Sequence, residues 1–183
     1  MSNLTVGKIV NNSVTLVLSS SGAKTTRPTL ADHTQFEVNL PNINGFPHKT
    51  RCLCQLQSVR TGGTSSANDR YIGCLGVDIP QMAPHNLYTD NGQSGLVGVV
   101  DQQFLSNIGA TAATAGPGQT YTNHQSFLES SVLCQSPFGK RLTVTIKDMA
   151  TNSRVTNHPA IIGKTIVVKL RLLFLDNEDL KDF

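Results

Sequence analysis

The sequence has no tryptophan, few other aromatic residues and few charged residues. Aromatic residues make up 5% and charged residues 15% of the 183 positions, while Ser, Thr, Asn, Gly, Val and Leu are common. The scarcity of charge argues against a helical bundle, and the recurring apolar runs argue against disorder. The composition favours β-strands that are joined by polar, turn-rich loops.

Long apolar runs are also missing. No run approaches the roughly 20 residues that cross a bilayer. The sequence also lacks the basic start and following apolar stretch that are typical of a signal peptide. The tripeptides Asn3-Leu4-Thr5 and Asn11-Asn12-Ser13 match the glycosylation sequon, and without secretion we interpret them as chance matches. We therefore predict a chain without a membrane span.

Strong charge of either sign is absent too. The formal net charge is only +3, and residues 176–183 are rich in acids. A weakly basic chain with an acidic tail is a poor electrostatic match to a nucleic-acid backbone. We therefore do not expect nucleic acid among its partners.

Cysteine is scarce and scattered, at Cys52, Cys54, Cys74 and Cys134. This spacing fits neither a paired zinc-binding motif nor a disulfide framework. Cys52 and Cys54 lie two residues apart, so they share one face of a predicted strand as small buried hydrophobes. We predict that the cysteines are reduced and structural.

The clearest strand signal is the stretch 165–175. Its even positions are all apolar, whereas Lys169 and Arg171 interrupt the odd positions. Successive side chains of a strand point to opposite faces, so one face lines a core and the other meets water near its middle. A strand with one fully apolar face is predicted to lie in the middle of a sheet.

Further strands are predicted wherever apolar residues alternate with polar ones or run together briefly. In the segment 51–59, we expect Cys52, Cys54 and Leu56 on one face and Leu53, Gln55, Gln57 and Val59 on the other. Residues 81–95 and 108–122 read as long loops. The other predicted strands lie at 4–19 (a hairpin or strand pair around Asn11-Asn12-Ser13), 36–40, 71–79, 96–100, 127–135 and 142–147.

The pattern amounts to eight or nine short strands without a helix of ordinary length, an internal repeat or a shift in composition. It predicts an all-β fold, a two-sheet antiparallel sandwich, with a jelly roll of about eight strands favoured over an immunoglobulin-like sandwich. We expect a single domain over residues 1–183. Within it, residues 1–30 form an arm or an extra strand pair, and residues 176–183 form an acidic tail.

Motifs that carry catalysis or bind ligands are lacking as well. Gly92-Gln93-Ser94-Gly95 misses the spacing of a nucleophile elbow, and Gly62-Gly63-Thr64 lacks the lysine of a phosphate-binding loop. Asp90-Asn91-Gly92 is typical of a turn. We expect structural roles for all five histidines, His33, His48, His85, His124 and His158. The sequence thus predicts no catalytic, cofactor-binding or metal-binding residue.

Three segments, 51–59, 71–100 and 138–148, together have a strand layout that resembles the single jelly-roll capsid proteins of viruses, of the minor capsid or penton type. The resemblance implies a non-enzymatic shell subunit that packs side by side with copies of itself and with a major capsid protein. It also implies a homo-oligomer that is assembled in the host cytoplasm and found in the virion. No small-molecule substrate is implied. The loops 81–95 and 108–123 and the two chain ends are the expected contacts.

Two other functions stay open at this point. A receptor- or glycan-binding module of a fibre or spike would need exposed aromatic rings for stacking on sugars, and the chain has few. An enzyme built on a jelly roll, cupin-like or hydrolytic, would need convergent ligands or nucleophiles.

Overall fold

The structure, a computed structural model, describes residues 13–21, 24–25, 34–42, 51–61, 74–85, 95–102, 120–151, 153–155 and 165–175. The predicted strand before Asn11 and the acidic tail at 176–183 lie outside these residues. The strands that the structure contains, in chain order, are β1 Ser13–Ser19, β2 Lys24–Thr25, β3 Gln35–Asn39, β4 Arg51–Thr61, β5 Cys74–Asp78, β6 Leu96–Gln102, β7 Thr120–Thr122, β8 Val132–Gln135, β9 Arg141–Asp148, β10 Ser153–Arg154 and β11 Ile166–Phe174. The described helices are α1, Phe127–Ser130, and a 3₁₀ turn at Pro80–Met82.

Eight of these strands form two antiparallel four-stranded sheets, with strand orders β1-β11-β4-β8 and β3-β9-β5-β6. Each sheet combines strands from both ends of the chain, which is the arrangement of a jelly roll. β2 extends the second sheet beyond β3, and β10 pairs with β9. The predicted all-β, two-sheet antiparallel sandwich is confirmed.

β11 lies in the middle of the first sheet, as its sequence pattern predicts. It pairs with β1 on one side and with β4 on the other. Its even residues are buried between the sheets, and Lys169 on the other face is exposed. Each fully buried aliphatic side chain of this row contributes about 1.5–3 kcal/mol of hydrophobic free energy.

β7 joins the two sheets along one side of the sandwich. It pairs with β4 at Ser58–Arg60 and with β6 at Asp101–Gln102. The ladder of backbone hydrogen bonds therefore continues from the first sheet into the second. The sequence predicted only a loop at 108–122 and not this strand.

The main core fills the space between the inner faces of the two sheets. Its largest fully buried side chains include Phe36, Phe138, Leu56 and Ile146. Phe138 stacks on Phe174 with 5.8 Å between the ring centroids. A smaller apolar cluster of Leu53, Leu173 and Leu175 lies on the outer face of the first sheet, where Phe127 and Leu133 pack against it.

A β-bulge in β4 changes which residues of this strand face the core. Lys169 pairs with Ser58 and Leu170 with Leu56, so Gln57 is an extra residue in the ladder. Beyond a bulge the alternation of side chains is reversed. Val59 is therefore fully buried in the main core, and its predicted position on the face of Leu53 and Gln55 is wrong.

The segment 127–135 is only partly a strand. Residues Phe127–Ser130 form α1, and the strand β8 begins at Val132. Ser126, which precedes the helix, forms a capping box with Glu129, and such a box starts a helix regardless of the apolar residues that follow. The prediction of a continuous strand here is wrong for its first half.

Candidate functional site

A groove of about 400 Å³ lies where the edge strands of the two sheets, β6 and β8, run past each other. Its apolar lining comes from Leu96 and Val99 of β6 and from Val132 and Leu133 of β8. Its rim is polar and comes from His85, Asn123, Gln125 and the end of α1. A concave surface with an apolar lining and a few polar groups is the usual form of a binding site.

β8 forms one wall of the groove and is held from both sides. It pairs with β4 through Cys52–Cys134 and the neighbouring positions. On its other side the backbone N–H of His85 donates to the carbonyl oxygen of Leu133 over 2.8 Å. The imidazole of His85 is exposed at the rim, so the backbone of this residue has the structural role and its side chain is accessible.

α1 forms the second wall and is fixed to the sheet by Gln55. The side chain of Gln55 is 6% exposed beneath the helix. Its Nε2 donates to Ser130 Oγ at 2.8 Å, to the Gln125 carbonyl at 3.2 Å and to the Ser126 carbonyl at 3.4 Å. A buried amide needs such partners, because leaving it unpaired costs about 1–3 kcal/mol.

Phe127, at the start of the same helix, packs on apolar side chains and also contacts the cation of Arg171. Its ring packs on the outer cluster of Leu53, Leu173 and Leu175. The guanidinium carbon of Arg171 lies 5.1 Å from the centre of the ring, within the range of a cation–π interaction. The wall of the groove is thus built on the sheet and does not depend on a loop alone.

Glu129 is the acid on the groove, and its carboxylate belongs to the helix cap. The Ser126 hydroxyl donates to Glu129 Oε2 at 2.6 Å, and the Ser126 backbone N–H donates to the same oxygen at 3.3 Å. These hydrogen bonds, the hydroxyl first and the backbone second, lower the pKa of Glu129. Glu129 is therefore an ionised acceptor near neutral pH and not a proton donor.

The predicted buried position of Cys52 and Cys54 is confirmed, and Cys134 joins them. Cys52 lies opposite Cys134 in the β4–β8 ladder, and all three side chains are in the main core. Burial raises the pKa of Cys52, and a hydrogen bond with Cys134, followed by burial, raises the pKa of Cys54. All four cysteines are free thiols, and neutral thiols of this kind are poor nucleophiles.

Cys74 lies apart from the other cysteines, on the outer face of the second sheet. It pairs with Asp101 of β6 and is partly exposed. Burial, followed by a hydrogen bond to Asp101, raises its pKa to about 12. Burial, and after it the carboxylates of Asp101 and Asp148, thus keep this thiol protonated as well.

The structure describes two of the five histidines, and it separates their roles. His85 is on the groove, and the Nε2 of His124 lies 3.0 Å from the Thr122 hydroxyl oxygen on the exposed side of the chain. His33, His48 and His158 lie outside the described residues, as do Asp69, Asp90 and Asn91. Across the described ranges, no group of three or more His, Cys, Asp or Glu side chains is arranged to hold a metal ion.

Lys140 and Arg141, at the start of β9, have local partners. Arg141 forms an ion pair with Glu37 of β3. Lys140 Nζ donates to the Gln81 carbonyl at 3.1 Å and to Gln135 Oε1 at 3.0 Å. Arg141 thus pairs with an acidic residue, whereas Lys140 is held by uncharged oxygen atoms.

The sequence did not reveal the groove, because its two strands are separated in the chain by the segment 103–131. Its rim does include described parts of the loops that we expected to make contacts, namely His85 and Asn123. Neither helix in the described part of the chain has the length or the apolar character to cross a membrane.

The groove combines an apolar lining with the Glu129 carboxylate, which already accepts two hydrogen bonds from Ser126. This arrangement can bind an extended or apolar segment, and its described groups form no nucleophile–base pair. A comparison with protein-family models gives no match to this chain, and no curated protein sequence matches it either.

Proposed function

We propose that this protein is a structural subunit of a virus shell, a capsid or minor capsid component without enzymatic activity. The observation that carries the proposal is the jelly-roll strand order of the two sheets. The segments with the capsid-like layout correspond to β4, to β5 with β6, and to β9 with the turn before it. Because jelly rolls serve several functions, the proposal depends on the surfaces as well as on the fold.

The outer face of the second sheet supports a role in assembly. Its polar side chains are fixed by ion pairs and hydrogen bonds between neighbouring strands within the single chain. Glu37 pairs with Arg141, Lys147 Nζ lies 3.6 Å from Asp78 Oδ1, and Gln35 donates to Thr145 Oγ1 at 3.2 Å. A face of this kind loses little side-chain entropy on contact, so it suits partly polar interfaces between subunits.

Gln81 extends this ordered surface toward the end of the sandwich. Its amide oxygen accepts from the Thr143 backbone N–H at 3.0 Å, and its amide nitrogen donates to Thr143 Oγ1 at 3.2 Å. The 3₁₀ turn at Pro80–Met82 is therefore fixed against β9. Subunits that pack side by side need such rigid corners, because a contact repeated around a shell must keep one geometry.

The groove gives no specific support to the glycan-binding alternative. None of the described residues that line it is Phe, Tyr or Trp, so it offers no aromatic face on which a sugar ring could stack. We therefore put forward a single function.

The proposal is tested by the oligomeric state of the purified chain. We expect light scattering after gel filtration, over a hundredfold range of concentration, to show a defined oligomer or a particle, and negative-stain microscopy to show closed rings or shells. A mass that stays fixed between low and high salt distinguishes assembly from aggregation. A stable monomer at every concentration, with no particle that contains the chain, would contradict the proposal.

A further inference from the structure

The outer face of the first sheet carries a line of cations. The four strands of this sheet contain no Asp or Glu, and their cations are Arg51, Arg60, Lys169 and Arg171. Arg60 of β4 pairs with Val167 of β11, and Lys169 and Arg171 follow at alternate positions of β11. Because alternate residues of a strand share a face, the Cα atoms of these three cations follow one diagonal line at spacings of roughly 7–8 Å. We call Arg60, Lys169 and Arg171 the basic face.

The basic face is accessible, and its charges are not neutralised within the sheet. Arg60 and Lys169 are exposed, and Arg171 is partly buried against the ring of Phe127. In the described part of the chain, the ion pairs lie within the second sheet, where they join cations to acids on neighbouring strands. The two sheets therefore differ in charge, and the first one presents a positive field to an anionic partner.

The side chains around these cations suit a peptide that carries carboxylates. Thr15 lies beside Arg171, and Val17 and Ser58 flank Lys169 on its two sides. The hydroxyl groups can donate to carboxylate oxygens, and the cations form the stronger, charge-assisted hydrogen bonds. Val17 is 58% exposed and offers an apolar contact. The fitting ligand is therefore an acidic segment that also contains an apolar side chain.

The acidic tail, residues 176–183, has this composition. Four of the twelve acids of the chain lie in it against one lysine, namely Asp176, Glu178, Asp179 and Asp182. The net charge of the tail is therefore −3, which balances the three cations of the basic face. Leu180 and Phe183 supply apolar side chains among the acids. The chain thus carries both a cationic surface and a segment of complementary charge.

The direction of β11 favours the tail of another subunit over the tail of the same one. β11 runs away from the basic face toward Leu175, and at that end Phe127 packs on the outer cluster and covers the way back along this face. Asp182 is seven residues beyond Leu175, a reach of at most roughly 25 Å. Arg60, opposite Val167, lies roughly 26 Å back along the strand. The tail of a second copy has no such restriction.

We infer that the acidic tail of one subunit binds to the basic face of a second copy of this chain. The inference rests on the proposed function, since it names one contact between subunits of the assembly. The tail carboxylates pair with Lys169 and with the guanidinium groups of Arg60 and Arg171, which bind carboxylates through two parallel hydrogen bonds. Exposed ion pairs are individually weak and are screened by salt, so this contact adds to others in an assembly and weakens at high ionic strength.

Cross-linking of isotopically mixed subunits tests the contact directly. Equal amounts of labelled and unlabelled chain are mixed in urea, refolded together and treated with a water-soluble carbodiimide, which joins Lys169 Nζ to a tail carboxylate as an amide. Random pairing of subunits predicts that about half of the Lys169–tail peptides found by mass spectrometry contain one chain of each isotope. Binding within one subunit gives none. The control is Asn39→Lys, which places a lysine at an exposed position of the second sheet and should couple to the tail far less.

Charge reversal and its rescue test the electrostatics of the contact. Lys169→Glu should raise the concentration at which half of the chain is assembled, read by light scattering, about fivefold, because like charges then meet across the contact. Glu178→Lys with Asp179→Lys in the same chain should reverse most of this loss. The control is Gln135→Glu, which adds an acid at an exposed position near the other end of the sheet and should change assembly little. Folding is checked by circular dichroism, and Lys169→Gln serves if Lys169→Glu does not fold.

The outcomes separate this inference from the proposed function. Mixed-isotope cross-links at Lys169, together with rescue by the tail lysines, support it. If the chain assembles but the Lys169–tail cross-links are absent or stay within one subunit, the contact is overturned and the shell function stands. A fluorescent oligothymidylate that binds the wild type but not Lys169→Glu, with assembly unchanged, would assign the basic face to nucleic acid and would also overturn the contact. A monomer at every concentration, without cross-links between subunits, overturns both.

Discussion

At Gly98, the second sheet comes close to β4 of the first. Gly98 lies in β6, and a Cβ atom built on it would be 2.5 Å from the Cβ of Leu56 in β4. Leu56 is fully buried, and its Cβ is fixed to the backbone of a long central strand. A glycine at this position therefore sets the distance between β4 and β6.

We predict that Gly98→Ala lowers the free energy of unfolding by about 1–3 kcal/mol, because the added methyl group overpacks the space between the sheets. The measurement is the urea midpoint by circular dichroism. Val99→Ala is the matched control, since its half-buried side chain lies on the other face of the same strand and should cost less. Equal midpoints for Gly98→Ala and wild type would show that the strands can move apart freely.

At position 139, the backbone conformation requires a glycine. Its φ of 71° lies in the left-handed region, and its N–H donates to the Leu40 carbonyl at 3.0 Å in the turn before β9. Composition alone does not reveal which glycine has a positive φ. At the scale of single residues, burial was more predictable than local conformation.

Among the elements, β11 was predicted correctly from its sequence, whereas α1 was missed. The alternation in β11 was read correctly because both of its faces are decided by its own sequence. α1 was missed because Phe127 and Leu128 resemble strand residues and the local capping box of Ser126 and Glu129 was not recognised. The contact with Gln55, which holds the helix on the sheet, comes from a distant part of the chain. Leu128 remains 57% exposed, so the apolar residues of α1 are not all core residues.

The β-bulge in β4 explains the other error. Strict alternation assigned Val59 to the outer face, and the extra residue Gln57 brings it into the core. The carbonyl of Gln57 accepts from the Asn123 N–H at 2.9 Å, so the bulge also anchors the chain after β7. Bulges depend on pairing partners, and a single strand sequence carries little sign of them. The same limit hid the groove, since its walls meet only in the folded chain.

We predict that Gln55→Leu releases α1 from the sheet. The variant loses the two N–H groups that Gln55 shares among three acceptors, and it should be less stable by about 1–3 kcal/mol. Hydrogen exchange read by mass spectrometry should show faster exchange over residues 123–131 than over β11. Gln135→Leu is the matched control, because this exposed glutamine accepts only the Lys140 contact. Similar exchange in the two variants would contradict the anchoring role of Gln55.

At the scale of the whole molecule, the cysteines make the free energy of unfolding decrease in the alkaline pH range. The pKa values of Cys52, Cys54 and Cys74 are raised in the folded protein, chiefly by burial for Cys52 and Cys74 and by the Cys134 hydrogen bond for Cys54. In the unfolded chain a thiol ionises near pH 8.5. The stabilisation is therefore complete below about pH 8.5 and is lost as the pH rises above it.

We predict a constant free energy of unfolding between pH 7 and 8 and a decline between pH 9 and 10. Each fully buried thiol contributes a slope that approaches about 1.4 kcal/mol per pH unit. Urea unfolding at fixed ionic strength measures this decline. Cys74→Ser, which changes a partly exposed thiol outside the core, should make the decline shallower without altering stability at pH 7 by much. A free energy that is unchanged from pH 8 to pH 10 would be inconsistent with protonated native thiols.

The central position of β11 has a consequence for the order in which the protein is made. Both of its neighbours precede it, and at 5–20 residues per second β4 leaves the ribosome roughly 5–20 s before β11. During that interval, β1 and β4 have no strand between them, and their apolar inner rows face a gap. The first sheet therefore closes only after translation has passed residue 174, through contacts between distant parts of the chain, which is a slow step in folding.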